Sequence, residues 1–502
     1  MQLNTLKYRL GHLKFQTSLK MPNKIVRGEE NTIIMRKILT ILLLALAAFL
    51  FVFLFSFSTS PFYLGYSADA TLYEQMGLLI TQKGTPYVDI YDNKGLLLYL
   101  INALGLLISP QFGIALLQGL FLTATLIAWK HLLAYFKLSG TRSIIVIFLS
   151  LLLLACFYQG GNLTEEYSLL PISLSILLLQ KGENRHFFMA GLCMGCVVFL
   201  KMSNLFPLIG FTLFALWPAV SQHRILDAAK QCTLIVAGGS VIACLCTAYM
   251  LITSGWEGTW GMIYYMFLWN FEHLVGSVDR SAWVPSPIPH VVTIALFVVA
   301  SAFFFKKEHN LMFAVIVALL SMVPSLVMRP YAHYHMVLIP VYVLILGRAA
   351  DKNLILAATL CMISVFPHSR GIYSDFLRTR REILLDKVTF REAADNFHEL
   401  TLRMDEKTKS AIFNFAYYPG LSLLNREGIV QSNPDPIFDL EKQFFEVIQD
   451  STTTPECVLL PPDTELSDEV NKVIGRMYPY SVPIGEYSWN HITLRSKSTF
   501  IR

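Results

Sequence analysis

Between residues 38 and 367 the chain keeps returning to uninterrupted apolar runs, most of them about 15–23 residues long, separated by short polar turns. A helix needs about 20 apolar residues to cross a bilayer. In hydrocarbon every backbone N–H and C=O must find its partner within its own segment, so such runs are helices. One soluble core could not bury so many. The composition agrees, with 54% hydrophobic and 15% charged residues, against about 25% charged in soluble domains. The sequence predicts a polytopic α-helical membrane protein. Its spans fall at 38–57, 112–131, 143–160, 167–181, 187–201, 203–218, 231–253, 288–305, 311–328, 335–347 and 353–367, about 11 in all. A net charge of +5 is too small to suggest nucleic acid as a partner.

Residues 1–37 are polar and basic, with Lys7, Arg9, Lys14, Lys20, Lys24, Arg27, Arg36 and Lys37 opposed only by Glu29 and Glu30. The run that follows is too long for a signal-peptide core and lacks a small-residue cleavage site, so it reads as an uncleaved first span. Met35 offers an alternative start. The topology turns on 95–110, "GLLLYLINALGLLISP". If this segment lies in the outer interface without crossing, the basic clusters fall on the cytoplasmic side. These are Lys130 with Lys137 and Arg142, Lys181 with Arg185, Arg224 with Lys230, Lys306 with Lys307, and Arg348 with Lys352. The positive-inside rule therefore favours an interfacial helix there. The expected protein sits in the inner or plasma membrane with a cytoplasmic N-terminal tail (1–37) and a transmembrane body (38–367). A polar domain (368–502) follows outside.

That last region is a different kind of sequence. "SAIFNFAYYP" and "ECVLLPP" read as buried strands, and "DLEKQFFEVIQD" as an amphipathic helix. A small extracytoplasmic α/β domain is expected, long enough for its own core. Cys457 is its only cysteine, so it holds no internal disulfide. The other seven cysteines lie in or beside apolar runs. Cys193 and Cys196 form a C-x-x-C on one apolar helix with no second ligand pair, which reads as packing.

Several polar stretches carry chemistry, and all fall on the outer side. "YSADATLYEQMG" places Asp69 and Tyr73 on one helical face. "KGTPYVDIYDNKGLLLYLINALG" adds Asp89, Asp92 and Lys94. A lysine there holds a phosphate as a point charge, and an aspartate beside apolar helix ends serves as a general base. The plainer alternative is a polar loop with an aromatic belt. In "YQGGNLTEEYSLLP", Glu165 and Glu166 either position an acceptor sugar or cap the next helix. The "NLT" sequon is discounted in so tight a turn. Lys201 in "VVFLKMSNLFP" is either a functional cation or one that snorkels to the interface. "MRPYAHYHMVLIP" offers Arg329, Tyr331, His333, Tyr334 and His335 to grip an anionic headgroup. His333 and His335 are two apart, which suits neither one helical face nor a common zinc pattern. No metal-ligand set and no cofactor are indicated, although a divalent metal stays possible. The aromatic 254–287 loop either lines a lipid or sugar groove or anchors at the interface.

In this order the motifs resemble those of GT-C fold glycosyltransferases of the family-39-like class, which includes protein mannosyltransferases, the aminoarabinose transferase of lipid A and bacterial Rgt-type enzymes. The likeness rests on Asp69 soon after the first span, "YVD" with Asp89, and "NKGLLLYLINALG" with Lys94. The "NLTEEYSLLP", "FLKMSNLFP" and "RPYAHYHMVLIP" stretches add to it, and it covers roughly 38–345. It implies an inverting transferase that moves a sugar from a polyprenyl-phosphate donor to a hydroxyl of a glycan, glycolipid or protein. The implied setting is cell-surface glycan synthesis outside the cytoplasm. Asp69 is the implied base. Lys94 stabilises the leaving phosphate with Arg329 or Lys201 as helpers, and Tyr73, Asp89, Glu165, Glu166 and His333 contribute to substrate binding. Two positions depart from the pattern. Ala70 replaces an acidic neighbour of the aspartate, which gives weight to Glu165 or Glu166. Leu96 replaces a proline after "KG", which leaves the lysine turn less rigid. The competing readings are a transporter or flippase of lipid-linked sugars and a non-catalytic member of the fold.

Overall fold

A computed structural model describes residues 23–59, 67–90, 92–269, 286–369, 389–430, 440–449, 454–460, 466–487 and 490–497. The chain divides into two compact units, Met1–Leu46 and Ala47–Arg502. Helix α1 (Asn23–Phe55) begins in the first and ends in the second.

Among the described residues, five helical stretches are long and apolar enough to cross a membrane: Ile34–Phe55, Gly113–Tyr135, Ile225–Trp269, His309–Met328 and Ala332–Lys352. The protein is thus a multi-pass membrane protein. Expected spans at 143–160, 203–218, 288–305 and 353–367 appear as the shorter apolar helices Gly140–Ala155, Leu208–Ser221, Ile288–Phe304 and Leu354–His368. The expected 231–253 span is longer than its apolar run. It lies in helix Ile225–Ile263, which breaks at Gly255, whose φ of 63° is non-helical.

The elements that position the site come early. They are α2 (Ala68–Thr81), α3 (Leu96–Ile108), α4 (Gly113–Tyr135), α5 (Gly140–Ala155), α6 (Thr164–Lys181) and α7 (Asn184–Val198). At 13 residues, α3 is about 20 Å long, too short for a core of about 30 Å. Its Leu104, Leu107 and Ile108 are exposed. Gly77 lets α2 lie directly on α3, since a Cβ there would come 2.7 Å from Asn102 Cβ. Cys193 and Cys196 are free and half-buried on α7, as packing residues are. In the second half of the body, residues Ile339–Lys352 form a helix whose middle, Val341 to Leu346, is wholly buried.

After residue 388 the architecture changes. Strands β1 (Ile412–Asn414), β2 (Cys457–Leu460), β3 (Tyr480–Tyr487) and β4 (Asn490–Ser496) form one sheet in the order β1-β2-β4-β3. β1 pairs parallel with β2, Phe413 opposite Val458. β4 runs antiparallel to both β2 and β3. Apolar side chains cover both faces: Phe397, Leu424, Leu459 and Leu494 in one cluster, Phe413, Phe444, Val458 and Ile474 in the other. Helices Tyr417–Arg426 and Leu440–Gln449 lie between β1 and β2 in the chain, as a parallel pair requires. The strands in "SAIFNFAYYP" and "ECVLLPP" were legible from their apolar runs. The β3–β4 pair was not, because its residues mix polar and apolar positions.

Candidate functional site

Asp69 lies in the first turn of α2 and is half-buried. One turn on, Tyr73 is 1% exposed. Beyond α2 the chain folds back tightly. Tyr87 adopts a φ of 65°, and its amide donates to the Ile90 carbonyl at 3.0 Å. Asp89 is used up in this turn, its Oδ2 accepting from the Thr85 amide at 2.6 Å on the exposed side. Asp92, three residues later, points the other way. It accepts from the Tyr99 hydroxyl at 2.7 Å and lies 3.6 Å from Lys94 Nζ. Lys94 also donates to Asn93 Oδ1 at 2.5 Å and lies 5.6 Å from the centroid of the Tyr73 ring.

The lysine turn is docked backbone to backbone on the end of α7. The Gly95 amide donates to the Leu200 carbonyl at 2.9 Å, and the Leu97 amide to the Phe199 carbonyl at 3.1 Å. Only glycine permits this approach, since a Cβ at 95 would lie 1.9 Å from the Phe199 oxygen. The rigidity expected to be missing without a proline is thus supplied by two hydrogen bonds. The same docking sets Lys94 near Lys201. Lys201 Nζ donates to Glu165 Oε1 at 2.6 Å and lies 3.9 Å from the Tyr334 ring centroid. Thr164 Oγ1 donates to the second oxygen of Glu165 at 2.7 Å.

Facing this pair is the "QGGN" turn. Gln159, Gly160, Gly161 and Asn162 all have positive φ. A Cβ at Gly161 would lie 2.5 Å from Ser56 Oγ, so glycine is needed for space as well as conformation. The turn presents Gln159 to His333, with 2.5 Å between Oε1 and Nδ1, and the His333 ring packs edge-on to Tyr334 at 4.7 Å. Asn162, the sequon asparagine, is fully buried, and its side chain bonds Asn102 and Tyr167.

The two adjacent acids have different tasks. Glu166 turns into a polar network. It accepts from the Tyr158 hydroxyl at 2.5 Å, Gln118 Nε2 at 3.0 Å and the Asn162 amide at 2.8 Å. Burial pushes its carboxyl up to about 7 against these hydrogen bonds. Burial also acts to raise Glu165. Lys201, His333 and the hydrogen bonds from Lys201 and Thr164 outweigh it and bring that carboxyl down to about 2. Desolvation acts to lower Lys94, and Asp92 and Asp69 overcome it, so its ammonium group is raised and stays cationic. The Tyr73 phenol is raised well above its ordinary value, by burial first and then by Asp69, Asp92 and Glu165, so it stays neutral.

Asp69 acts electrostatically on Tyr73, Lys94, Lys201 and His333. Of the residues named from sequence, the structure brings together Asp69, Tyr73, Lys94, Glu165, Lys201 and His333. Two stand apart: Asp89 closes an exposed turn, and Glu166 belongs to the network with Tyr158 and Gln118. Arg329 follows helix Val323–Met328, its amide donating to the Ser325 carbonyl at 2.9 Å. Sequence reasoning named Asp92 and Tyr334 within their motifs but gave neither a role of its own at the site, and it did not name Gln159. Asp92 had a signal, since it lies two residues from the lysine in "YDNKG". Gln159 had none, because only the turn aims it at His333. Among the described residues no group of three or more His, Cys, Asp or Glu is arranged to hold a metal ion.

No protein-family model and no curated protein sequence matches the chain. Among solved structures it is similar to the crystal structure of ArnT from Cupriavidus metallidurans bound to undecaprenyl phosphate. The two are 11% identical, with a TM-score of 0.45 over 91% of this chain and 97% of that one. So loose an overlap assigns no role to any residue and no ligand to this chain.

Proposed function

We propose that the protein is an inverting GT-C-type glycosyltransferase. It moves a sugar from a polyprenyl-phosphate donor to an acceptor hydroxyl of a glycan, glycolipid or protein on the extracytoplasmic face, in building the cell envelope. The observation that carries this is the pairing of one half-buried carboxylate, Asp69, with two largely buried lysines that differ in how closely their charges are paired. Lys201 is ion-paired to Glu165 at 2.6 Å, whereas Lys94 bonds the neutral Asn93 amide at 2.5 Å and lies 3.6 Å from its acid, Asp92. The lysine without a close ion pair is the one whose charge is left to meet an incoming phosphate. The ion-paired one contributes a fixed positive field and holds its wall of the site in place.

The chemistry follows. Asp69 takes the proton of the acceptor hydroxyl as its oxygen attacks the anomeric carbon from the face opposite the phosphate. The bond between that carbon and the phosphate oxygen breaks, and the electron pair leaves with polyprenyl phosphate. Lys94 stabilises the charge that develops there, and the neutral Tyr73 hydroxyl adds a donor. The apolar spans hold the polyprenyl chain. No cofactor enters the proposal. A transporter would place its ionisable groups near the bilayer midplane. Here they lie in turns and at helix ends, which favours the transferase.

The test is donor consumption. Wild type and Asp69→Asn, in nanodiscs, are given a panel of polyprenyl-phosphate sugars with membrane extract as acceptor, and released polyprenyl phosphate is measured by mass spectrometry. Release by wild type is expected, with Asp69→Asn slower by roughly a hundred- to ten-thousand-fold, the usual contribution of a general base. Equal release by both removes Asp69 as the base. No release by wild type from any donor overturns the transferase reading.

A further inference from the structure

The helix that carries Asp69 has two working faces. At about 100° per residue, Asp69, Tyr73 and Gly77 share one face, directed at the lysines and α3. Thr71, Glu74, Gln75, Leu78 and Gln82 share the opposite face, and residues 425–430 of the C-terminal α/β region lie on it. Asn425 Nδ2 donates to the Thr71 carbonyl at 2.9 Å and reaches Glu74 Oε2 at 3.4 Å. Gln82 Nε2 donates to the Gly428 carbonyl at 2.6 Å, and Gln75 Nε2 to the Ile429 carbonyl at 3.4 Å. Val430 packs against Leu78, Leu106 and Ile114, joining α2, α3 and α4. Gly428 has a φ of 68°, the left-handed turn that lets the strip run along α2. The strip thus touches the helix from Thr71, two residues past Asp69, to its C-cap Gln82.

The contact is polar and incompletely satisfied. Gln75 Oε1 and Asn425 Oδ1 are buried without a hydrogen-bond partner. A contact selected only to stabilise would satisfy these atoms or replace them with apolar ones. One that must set a direction and still yield would not need to.

We propose that residues 425–430 are a positioning clamp for the Asp69 helix, with Asn425 as its key side chain. Asn425 holds the first turn of α2 by the Thr71 carbonyl and so sets where the Asp69 carboxylate points. The C-terminal α/β region is thereby part of the catalytic apparatus through the helix it holds. The role in turnover rests on the glycosyltransferase reading; the mechanical coupling does not.

The test uses the full chain in nanodiscs and two readouts, donor turnover and amide hydrogen exchange. Asn425→Ala is expected to lower kcat about tenfold, within the range that a misplacement of about 1 Å produces, with KM for the donor unchanged. It is expected to raise exchange over 68–81 while leaving 113–135 unchanged. Gly475→Ala, outside the strip and with nothing within 4 Å of the added carbon, is expected to match wild type in both readouts. Unchanged exchange over 68–81 in Asn425→Ala overturns the clamp, as does unchanged kcat with raised exchange. If Asn425→Ala does not fold, Gln82→Ala at the exposed end carries the same expectation for exchange over 68–81. If wild type turns over no donor, the functional reading fails, while the exchange result still decides whether the strip orients the helix.

Discussion

Glu165 and Glu166 are neighbours in sequence and opposites in function. Consecutive helical side chains diverge by about 100°, so one faces Lys201 and the other faces Tyr158 and Gln118. Their titrations should run in opposite senses. Glu165 is lowered from 4.5 to about 2, so its contribution is complete above 4.5 and is lost as pH falls toward 2. Glu166 is raised to about 7, so its contribution is complete below 4.5 and is lost as pH rises through 7. Glu166→Gln is accordingly expected to flatten the decline of Tm between about pH 4.5 and 7, followed by thermal unfolding in detergent. Glu165→Gln strands a largely buried lysine and should destabilise by about 3 kcal/mol. Adding Lys201→Met should recover most of that loss. A double variant no more stable than the single one would show that the pair is not what holds this wall together.

At the scale of elements, the decisive contact is the lysine turn on the end of α7. Lys94 and Lys201 are more than a hundred residues apart in the chain, and the two backbone bonds around Gly95 bring them into one site. Gly95→Ala drives a methyl into the Phe199 carbonyl and must separate the two segments. Loss of at least tenfold in donor turnover is expected, with a raised KM, because the misplaced group is the one that meets the phosphate. Gly475→Ala, where nothing lies within 4 Å of the added carbon, is the control and should turn over donor like wild type. The motif "NKG" announced the lysine, but its glycine was given no role from sequence. Its real reason, a carbonyl on another helix, has no mark in the local sequence.

At the scale of the whole molecule, the distribution of Lys and Arg predicts which side of the membrane holds the site. Asp89 is exposed beside it, and Lys137 follows α4 at the other end of that helix. In cells, Asp89→Cys should therefore react with a membrane-impermeant maleimide before permeabilisation and Lys137→Cys only after it, each compared with its parent. The reverse pattern would invert the proposed orientation.

Hydropathy and charge alone were enough to mark a multi-pass helical protein with a polar α/β region at its end. Both signals are summed over many residues, and neither depends on where distant segments meet. Residue types were also enough to nominate Asp69, Lys94, Glu165 and Lys201, since ionisable groups at apolar helix ends are costly and few. Tertiary structure alone decided which of the nominees share a site. It turned Asp89 outward and Asp92 inward, divided Glu165 from Glu166, and laid residues 425–430 along the back of the Asp69 helix. The physical reason is the same in each case. A side chain's partner is set by the direction of its Cα–Cβ bond and by which backbone lies across from it. Both come from turns and glycine contacts between segments far apart in the chain.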